Sequence, residues 1–210
     1  MPHTVALSFD DGPNPDATRR VLELLARHGV VATFFVWGEQ AQRHPEVVRA
    51  VLDGGHSVQP HCWAHVSHWT LAPAAIRADI EAVSALLVQI GAPPATLWRP
   101  PYGQTLGGAT RAIAAERGLE LAGWTLNPHD YAGNDAEKMY AEVTGALAAE
   151  ELSVVLLHDG HRESGQPRRR ADATNTVELV AMLLEDDSLA FTSMSAGVSA
   201  CLTEGPPGAA

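Results

Sequence analysis

The chain has 210 residues, of which 46% are hydrophobic, and its 25 Asp and Glu against 14 Lys and Arg give a formal net charge of -11. A chain of this length can bury one substantial core, so we expect a single domain. The acidic balance argues against binding of nucleic acid or of an anionic membrane surface and favours a neutral or cationic ligand.

Long apolar segments do not occur in the sequence. No run of 18 apolar residues is present, and the first strand-like segment, TVALSF, begins at Thr4. We therefore expect neither a transmembrane helix nor a secretory signal, which places the protein in the cytoplasm. The two cysteines, Cys62 and Cys201, have neither metal-type nor disulfide-framework spacing, so they do not indicate a compartment.

Strand-like and helical segments take turns along the chain. Alternating or continuous apolar runs predict strands at residues 5–9, 33–37, 57–59, 96–98, 121–126, 154–157 and 190–194. Amphipathic patterns predict helices at residues 16–27, 45–53, 73–89, 108–117, 136–150 and 176–185.

Repeated β-α units predict a parallel sheet that is either closed into a barrel or open and doubly wound. In both architectures, functional residues collect at the C-terminal ends of the strands. We expect the domain to span residues 1–196. The tail from Gly197 to Ala210, which ends in EGPPGAA, is predicted to be disordered.

Polar residues interrupt the apolar pattern just after five of the predicted strands. Any single one has a structural explanation, because acidic residues often cap the next helix and a lone histidine is commonly a hydrogen-bonded polar residue. Five segments that converge on one rim favour a functional site. Its candidate residues are Asp10, Asp11, His61, His65, Arg99, Asp130, His158 and Asp159.

The segment HCWAH places His61 and His65 four residues apart. Two imidazoles and one carboxylate form the open three-ligand site of a hydrolytic zinc ion, and Asp11 is the natural third ligand. Asp10 would then be free to take a proton from water at the metal. The spacing alone is weak evidence, since His56 and His68 show that this region contains many histidines.

Six segments together resemble one known family: SFDDGPNPDAT, ATFFVWG, GGHSVQPHCWAH, WRPPYG, GWTLNPHDY and VVLLHDG. Their order and approximate spacing are similar to those of the polysaccharide deacetylases, the NodB homology domain of the chitin and peptidoglycan deacetylases among the carbohydrate esterases. The resemblance extends over residues 5–194. It implies an α/β fold of the distorted (β/α)7 type, a TIM-like barrel.

The resemblance also implies roles for individual residues. A divalent metal, usually zinc, with Co2+, Mn2+ or Ni2+ as alternatives, would be held by Asp11, His61 and His65. Asp10 matches the general base and Arg99 the residue that orients it, while His158 matches the general acid and Asp130 its carboxylate partner. The pocket would contain a backbone N–H donor near Tyr102 for the oxyanion, Trp124 and Leu156 around the acetyl methyl group, and Tyr131 as an aromatic wall.

The sequence departs from the family pattern at four positions near this site. Asn127 stands where aspartate is common, Tyr131 where tryptophan is common, and Pro60 where a small polar residue precedes the first metal histidine. Pro60 removes a backbone donor and can alter how the His61 loop is held. Cys62 replaces a hydroxyl residue, and we expect a buried inert thiol rather than a metal ligand.

After His158 the loop is longer than the family's and contains three consecutive arginines, Arg168, Arg169 and Arg170. A solvated flexible loop is the simplest interpretation. The alternative is that these arginines contact an acidic group on the substrate.

The predicted activity is metal-dependent hydrolysis that removes an N-acetyl or similarly small N-acyl group from an amino sugar or oligosaccharide, releasing acetate and a free amine. The expected cytoplasmic location favours a soluble sugar over a cell wall. One alternative is the same chemistry on a non-sugar amide of a specialised metabolite, and another is a carbohydrate-binding pseudoenzyme. The exact substrate, the metal and the oligomeric state are left open by the sequence.

Overall fold

The computed structural model describes residues 2–147, 152–160 and 173–194, together with the backbone of residues 203–204. The strands are β1 (His3–Asp10), β2 (Thr33–Trp37), β3 (Ser57–Cys62), β4 (Leu97–Trp98), β5 (Gln104–Thr105), β6 (Glu120–Leu121), β7 (Ser153–His158), β8 (Leu189–Phe191) and β9 (Thr203–Glu204). The helices are α1 (Ala17–His28), α2 (Gly38–Arg43), α3 (Pro45–Asp53), α4 (Pro73–Ile90), α5 (Gly107–Glu116), α6 (Ala136–Gly145) and α7 (Thr174–Leu184).

Strand β1 is the centre of a parallel sheet in the order β3-β2-β1-β7, and β8 pairs with its first residues. Every residue from Val5 to Asp10 is buried, as a strand covered on both faces must be. A second parallel pair joins β4 to β6. The predicted α/β class with a parallel sheet is confirmed.

Two contacts link these sheets into a ring of strands. The Gln59 side chain on β3 accepts hydrogen bonds from the backbone N–H groups of Thr96 and Leu97, both at 3.0 Å, at the start of β4. On the other side, Leu126 forms a parallel bridge with Val155 of β7. The C-terminal ends of the strands therefore surround one opening.

Helices cover the outside of this ring because each buries one apolar stripe. Helix α4 buries Ile76, Ile80, Val83, Leu87 and Ile90, which recur at intervals of three and four residues. These side chains belong to the main hydrophobic core, together with the apolar residues of β1 and β2. None of the helices in the described residues is both long enough and apolar enough to span a bilayer.

All seven predicted strands are present, but two were predicted too long at their C-terminal ends: the segment 190–194, which ends at Phe191 in the structure, and the segment 121–126. The segment 121–126 leaves its partner Trp98 after Ala122 and joins β7 at Thr125, so the chain turns at Gly123 and Trp124 instead of continuing as a strand. The helix predicted at residues 136–150 ends earlier, because α6 ends at Gly145; residues 148–150 lie outside the described ranges.

Three short elements were not predicted. Helix α2 has the sequence GEQAQR, which has too few apolar residues to show a helical period. Strands β5 and β9 have two residues each and pair with one another. The expected disordered tail is therefore paired at residues 203–204, and its other residues lie outside the described ranges.

Candidate active site

Strand β1 ends at Asp10, and the next residue, Asp11, has a φ of 69°. Successive side chains of a strand point to opposite faces, so a continued strand would separate these two carboxylates. The turn into left-handed backbone at Asp11 allows both to line the same pocket. The turn is held from β2, because the Trp37 backbone N–H donates to the Gly12 carbonyl at 2.8 Å.

His61 is directed into the pocket by a β-bulge. In the β2–β3 ladder, Val36 pairs with Pro60 and the next residue, Trp37, pairs with Cys62, so His61 is the extra residue on β3. A bulge re-aims a side chain at the end of a strand, and it is also a position where proline is tolerated within a sheet. The departure at Pro60 therefore coincides with the irregularity that presents His61.

Three ligand-type side chains meet where these strands end. His61 Nε2 lies 3.4 Å and His65 Nε2 lies 3.1 Å from Asp11 Oδ1, and the three ligand atoms all lie within 4.8 Å of one another. His61 Nδ1 lies 2.7 Å from the carbonyl oxygen of Arg99, which can only accept, so Nδ1 carries a proton and Nε2 of the neutral ring is available as a ligand.

The Asp11 Oδ1 atom is buried and accepts no hydrogen bond from the described residues. Burial alone would raise the pKa of this carboxyl group, but the adjacent His65 and His61 hold it well below its usual value. Burial disfavours the charged form of His61, yet Asp10 and Asp11 raise its pKa above the usual value. An ionised carboxylate oxygen that accepts no hydrogen bond and faces two imidazoles is a suitable ligand for a divalent cation.

Arg99 lies fully buried behind Asp10 and fixes its orientation. Its Nη1 donates to Asp10 Oδ1 at 2.8 Å and to Ser8 Oγ at 3.0 Å, while Nη2 donates to the Gly123 carbonyl at 2.7 Å. The guanidinium carbon also lies 4.1 Å from the ring centroid of Phe35. The break in the sheet after Ala122 thus supplies an acceptor for this arginine.

His158 ends β7 directly beside Asp10 in the β1–β7 register. Asp130 Oδ1 lies 2.8 Å from His158 Nδ1, and Asp130 Oδ2 accepts from the His158 backbone N–H at 2.7 Å and from Thr176 Oγ1 at 2.9 Å. Burial lowers the pKa of His158, but the charge of Asp130 and its hydrogen bond outweigh burial and raise the pKa to about 9.

These groups open into one pocket of about 320 Å³. A Cβ atom at Gly103 would overlap the ring of Trp124, so glycine is required for the two segments to pack as one wall. The nine predicted site residues that line the pocket are Asp10, Asp11, His61, His65, Tyr102, Trp124, Tyr131, Leu156 and His158, and the structure adds Gly103 and Asn127.

His56, His68 and Asp159 do not line the pocket and instead make contacts within the fold. His56 Nδ1 accepts from the Ala32 backbone N–H at 3.2 Å, and burial lowers the pKa of His68, which packs against Trp98, to about 4. Asp159 is buried and accepts from Thr18 Oγ1 at 2.5 Å, away from the pocket lining.

Cys62 is buried, and that burial raises the pKa of its thiol well above the usual value. It does not belong to the cluster of ligand atoms found among the described residues, and the inert thiol stays a prediction. Residues Arg168 to Arg170 lie outside the described ranges.

A ring of parallel strands whose C-terminal ends hold a three-ligand cluster, a buried carboxylate and a carboxylate-paired histidine defines a barrel hydrolase with a candidate metal site. The family model described as polysaccharide deacetylase matches residues 1–122, more than half of the sequence. The chain belongs to the polysaccharide deacetylase family, and it is therefore a deacetylase, a hydrolase of amide C–N bonds.

Two curated relatives of this chain are named as deacetylases. The chain is 34% identical over 182 residues to a chitooligosaccharide deacetylase of Bradyrhizobium sp. (strain ANU 289), covering 86% of this chain and 81% of the relative. It is also 34% identical over 159 residues to the peptidoglycan-N-acetylglucosamine deacetylase PgdA of Listeria monocytogenes, covering 75% of this chain but 33% of that longer protein.

Among solved structures, the chain is similar to a family 4 carbohydrate esterase from Streptomyces lividans in complex with acetate. The TM-score is 0.77 at 27% identity, with 92% of this chain and 93% of that chain covered. The predicted fold, a distorted (β/α)7 barrel, is confirmed.

Proposed function

We propose that this protein removes the N-acetyl group, or a similarly small N-acyl group, from an amino sugar or oligosaccharide and releases acetate and a free amine. The observation that carries the proposal is the convergence on one pocket of a fixed carboxylate (Asp10), a ligand cluster (Asp11, His61 and His65) and a protonated histidine (His158). Amide hydrolysis needs these three functions at one carbon atom.

The residues of the cluster would hold a divalent cation, which we propose to be zinc. When bound, this cation would polarise the amide carbonyl group and the attacking water. His61 and His65 would each offer Nε2 and Asp11 would offer Oδ1, the atoms that already face one another.

Asp10 would act as the general base. Because Arg99 occupies Asp10 Oδ1, the other oxygen, Oδ2, remains to take a proton from the attacking water. Asp10 Oδ2 lies 4.0 Å from His61 Nδ1, which places it beside the cluster. The bound guanidinium would prevent the carboxylate from rotating away as it gains the proton.

His158 would act as the general acid. Its Nδ1 is engaged by Asp130, so Nε2 is the atom that would give a proton to the departing amine. The Asp130 carboxylate would also stabilise the imidazolium form before the transfer.

The pocket walls account for a small acyl group. We propose that Trp124 and Leu156, which are partly buried and buried respectively, enclose the acyl methyl group. Tyr102 has left-handed backbone at φ 60° beside His65, and we propose that its N–H donates to the developing oxyanion.

The names of the relatives guide the choice of substrate. Deacetylation of chitooligosaccharides is the activity named for the relative that this chain covers over most of its length. N-acetylglucosamine oligomers are therefore the first proposed substrates, with peptidoglycan fragments next. A cytoplasmic location stays a prediction.

The experiment that tests the proposal is acetate release from N-acetylglucosamine oligomers and from non-sugar acetamides, with protein of known metal content. His61→Ala should lose both metal and turnover, whereas His56→Gln, a histidine outside the pocket, should lose neither. Hydrolysis of non-sugar amides alone would contradict the proposal that the substrate is an amino sugar. Oligomer binding without acetate release in metal-loaded protein would indicate a carbohydrate-binding pseudoenzyme.

A further inference from the structure

A carboxylate on helix α4 holds the loop between the two candidate metal histidines. Asp79 Oδ2 accepts from the Trp63 backbone N–H at 2.6 Å, and Asp79 Oδ1 accepts from the Ala64 backbone N–H at 3.2 Å. The two oxygens of this carboxylate therefore accept hydrogen bonds from two consecutive backbone N–H groups immediately before His65.

The two histidines differ in how the fold supports them. His61 lies on β3, and its Nδ1 is fixed by the Arg99 carbonyl. His65 lies beyond the end of β3, in a segment without helix or strand. The direction of its ring depends on the backbone of residues 63 and 64, together with the rings of Trp37 and Tyr102 that it contacts.

Helix α4 is a rigid support for this contact. Ile76 and Ile80, on either side of Asp79 along the helix, are buried in the main core. The opposite side of the loop is held by α2, where the Glu39 backbone N–H donates to the Trp63 carbonyl at 3.2 Å. The loop is thus fixed between two helices, with Asp79 at the end closer to His65.

We propose that Asp79 is a positioning residue: it fixes the position of His65 in the ligand cluster and so raises the affinity of the site for the cation. This inference rests on the metal site of the proposed function. Groups that orient a metal ligand typically change metal affinity by about 10- to 100-fold when they are removed. Asp79 would act through the backbone rather than by contact with the ion.

The test compares Asp79→Asn with Glu81→Gln in the full chain. Glu81 lies two residues further along α4 and pairs on the surface with Arg117, so its variant removes a carboxylate charge from the same helix without touching the loop. The asparagine keeps the size of Asp79 but can accept through only one atom. The measurements are the dissociation constants for Zn2+ and Co2+, obtained by competition with a chromogenic chelator.

We expect Asp79→Asn to weaken binding of both metals by about 10- to 100-fold and to change the visible absorption spectrum of the cobalt-loaded protein. Glu81→Gln should match the native protein in both. The melting temperature of the metal-free protein reports the loss of stability; it should fall more in Asp79→Asn, which weakens two part-buried hydrogen bonds, than in Glu81→Gln, which removes a surface ion pair. Native affinity and an unchanged cobalt spectrum in Asp79→Asn would overturn the inference.

If Asp79→Asn does not fold, Asp79→Glu keeps the charge and both acceptors but moves them by one methylene group. It should weaken metal binding by several-fold, and unchanged binding would count equally against the inference. A native protein that binds zinc but releases no acetate would refute the proposed function and leave the metal titration as the test of Asp79. A native protein that binds no metal would overturn both.

Discussion

Arg99 and Asp10 form a buried ion pair, with Arg99 Nη1 2.8 Å from Asp10 Oδ1 and only 5% of the Asp10 side chain exposed. The remaining donors of the guanidinium are used on Ser8 Oγ and on the carbonyl groups of Ala122 and Gly123. A planar group with this many fixed partners cannot follow a moving carboxylate. Asp10 is therefore held as an oriented acceptor beside the candidate ligand cluster of Asp11, His61 and His65.

Replacement of Asp10 by asparagine should separate proton transfer from metal binding. Asp10→Asn keeps the shape of the side chain but cannot take a proton, so kcat should fall by about 10²- to 10⁴-fold. Metal content should stay at the native level, because Asp11, His61 and His65 are unchanged. Steady-state acetate release and metal analysis of the same sample check both statements. Native turnover would show that Asp10 is not the base.

The pair of His158 and Asp130 predicts the basic side of the pH profile. Burial opposes the charge on His158, but Asp130 raises its pKa to about 9, so the ring keeps its proton at neutral pH. A general acid is active only when protonated, so kcat should fall as the pH rises through about 9. In Asp130→Asn the favourable charge is lost, the pKa of His158 drops, and the basic limb should move to lower pH.

Thr176→Val is the matched control for this shift. It removes the hydrogen bond to Asp130 Oδ2 but leaves the carboxylate beside His158, so the basic limb should move much less than in Asp130→Asn. The measurement is kcat as a function of pH for all three proteins. A basic limb at the same pH in Asp130→Asn would exclude His158 as the titrating acid.

The positions of the pocket residues could be predicted because they depend on strand ends. Each of three pocket residues lies at or near the C-terminal end of a strand: Asp10, His61 and His158. Parallel strands in a barrel bring these ends together at one rim. Predicted strands were also reliable where the apolar run was continuous, as in β1 and β7.

The residues that hold the site were harder to predict, because their partners are distant in sequence. Nothing local to Asp79 distinguishes it from an ordinary polar position on an amphipathic helix, yet it binds the loop 15 residues before it. The bulge at His61 depends on how β2 and β3 pair. Ser8, a hydroxyl residue within the apolar run of β1, accepts from Arg99 Nη1 at 3.0 Å, and its role was not predicted.

Tyr131 should contribute to sugar binding rather than to the chemical step. The residue is 50% exposed and its ring meets the His158 ring edge-on with the centroids 5.1 Å apart, so one surface is available at the pocket mouth. An aromatic pair is worth on the order of 1 kcal/mol, and we expect a similar value for the ring on a sugar face, which is about fivefold in KM. Tyr131→Ala should raise KM for N-acetylglucosamine oligomers by this factor while Tyr131→Phe stays near native. An unchanged KM in the alanine variant would place the substrate elsewhere.

Gly160 should be intolerant of any side chain, because it lies directly against the backbone of Asp11, the candidate metal ligand. A Cβ atom there would overlap the carbonyl group of Asp11 and lie 2.7 Å from the backbone nitrogen of Gly12. Backbone atoms cannot swing aside as a flexible side chain does, so Gly160→Ala must displace Asp11. We expect a loss of about 1–3 kcal/mol in the free energy of unfolding and weaker zinc binding.

Gly145→Ala is the control for this substitution. Gly145 lies in α6, and a Cβ atom there meets nothing within 4 Å, so alanine should stabilise the protein by about 0.5–1 kcal/mol. Urea denaturation of the metal-free proteins gives both free energies, and chelator competition gives the zinc affinity. Because the two substitutions add the same methyl group, opposite signs would isolate the contact with Asp11. A Gly160→Ala variant with native stability and native zinc affinity would mean that Asp11 is not held by this close packing.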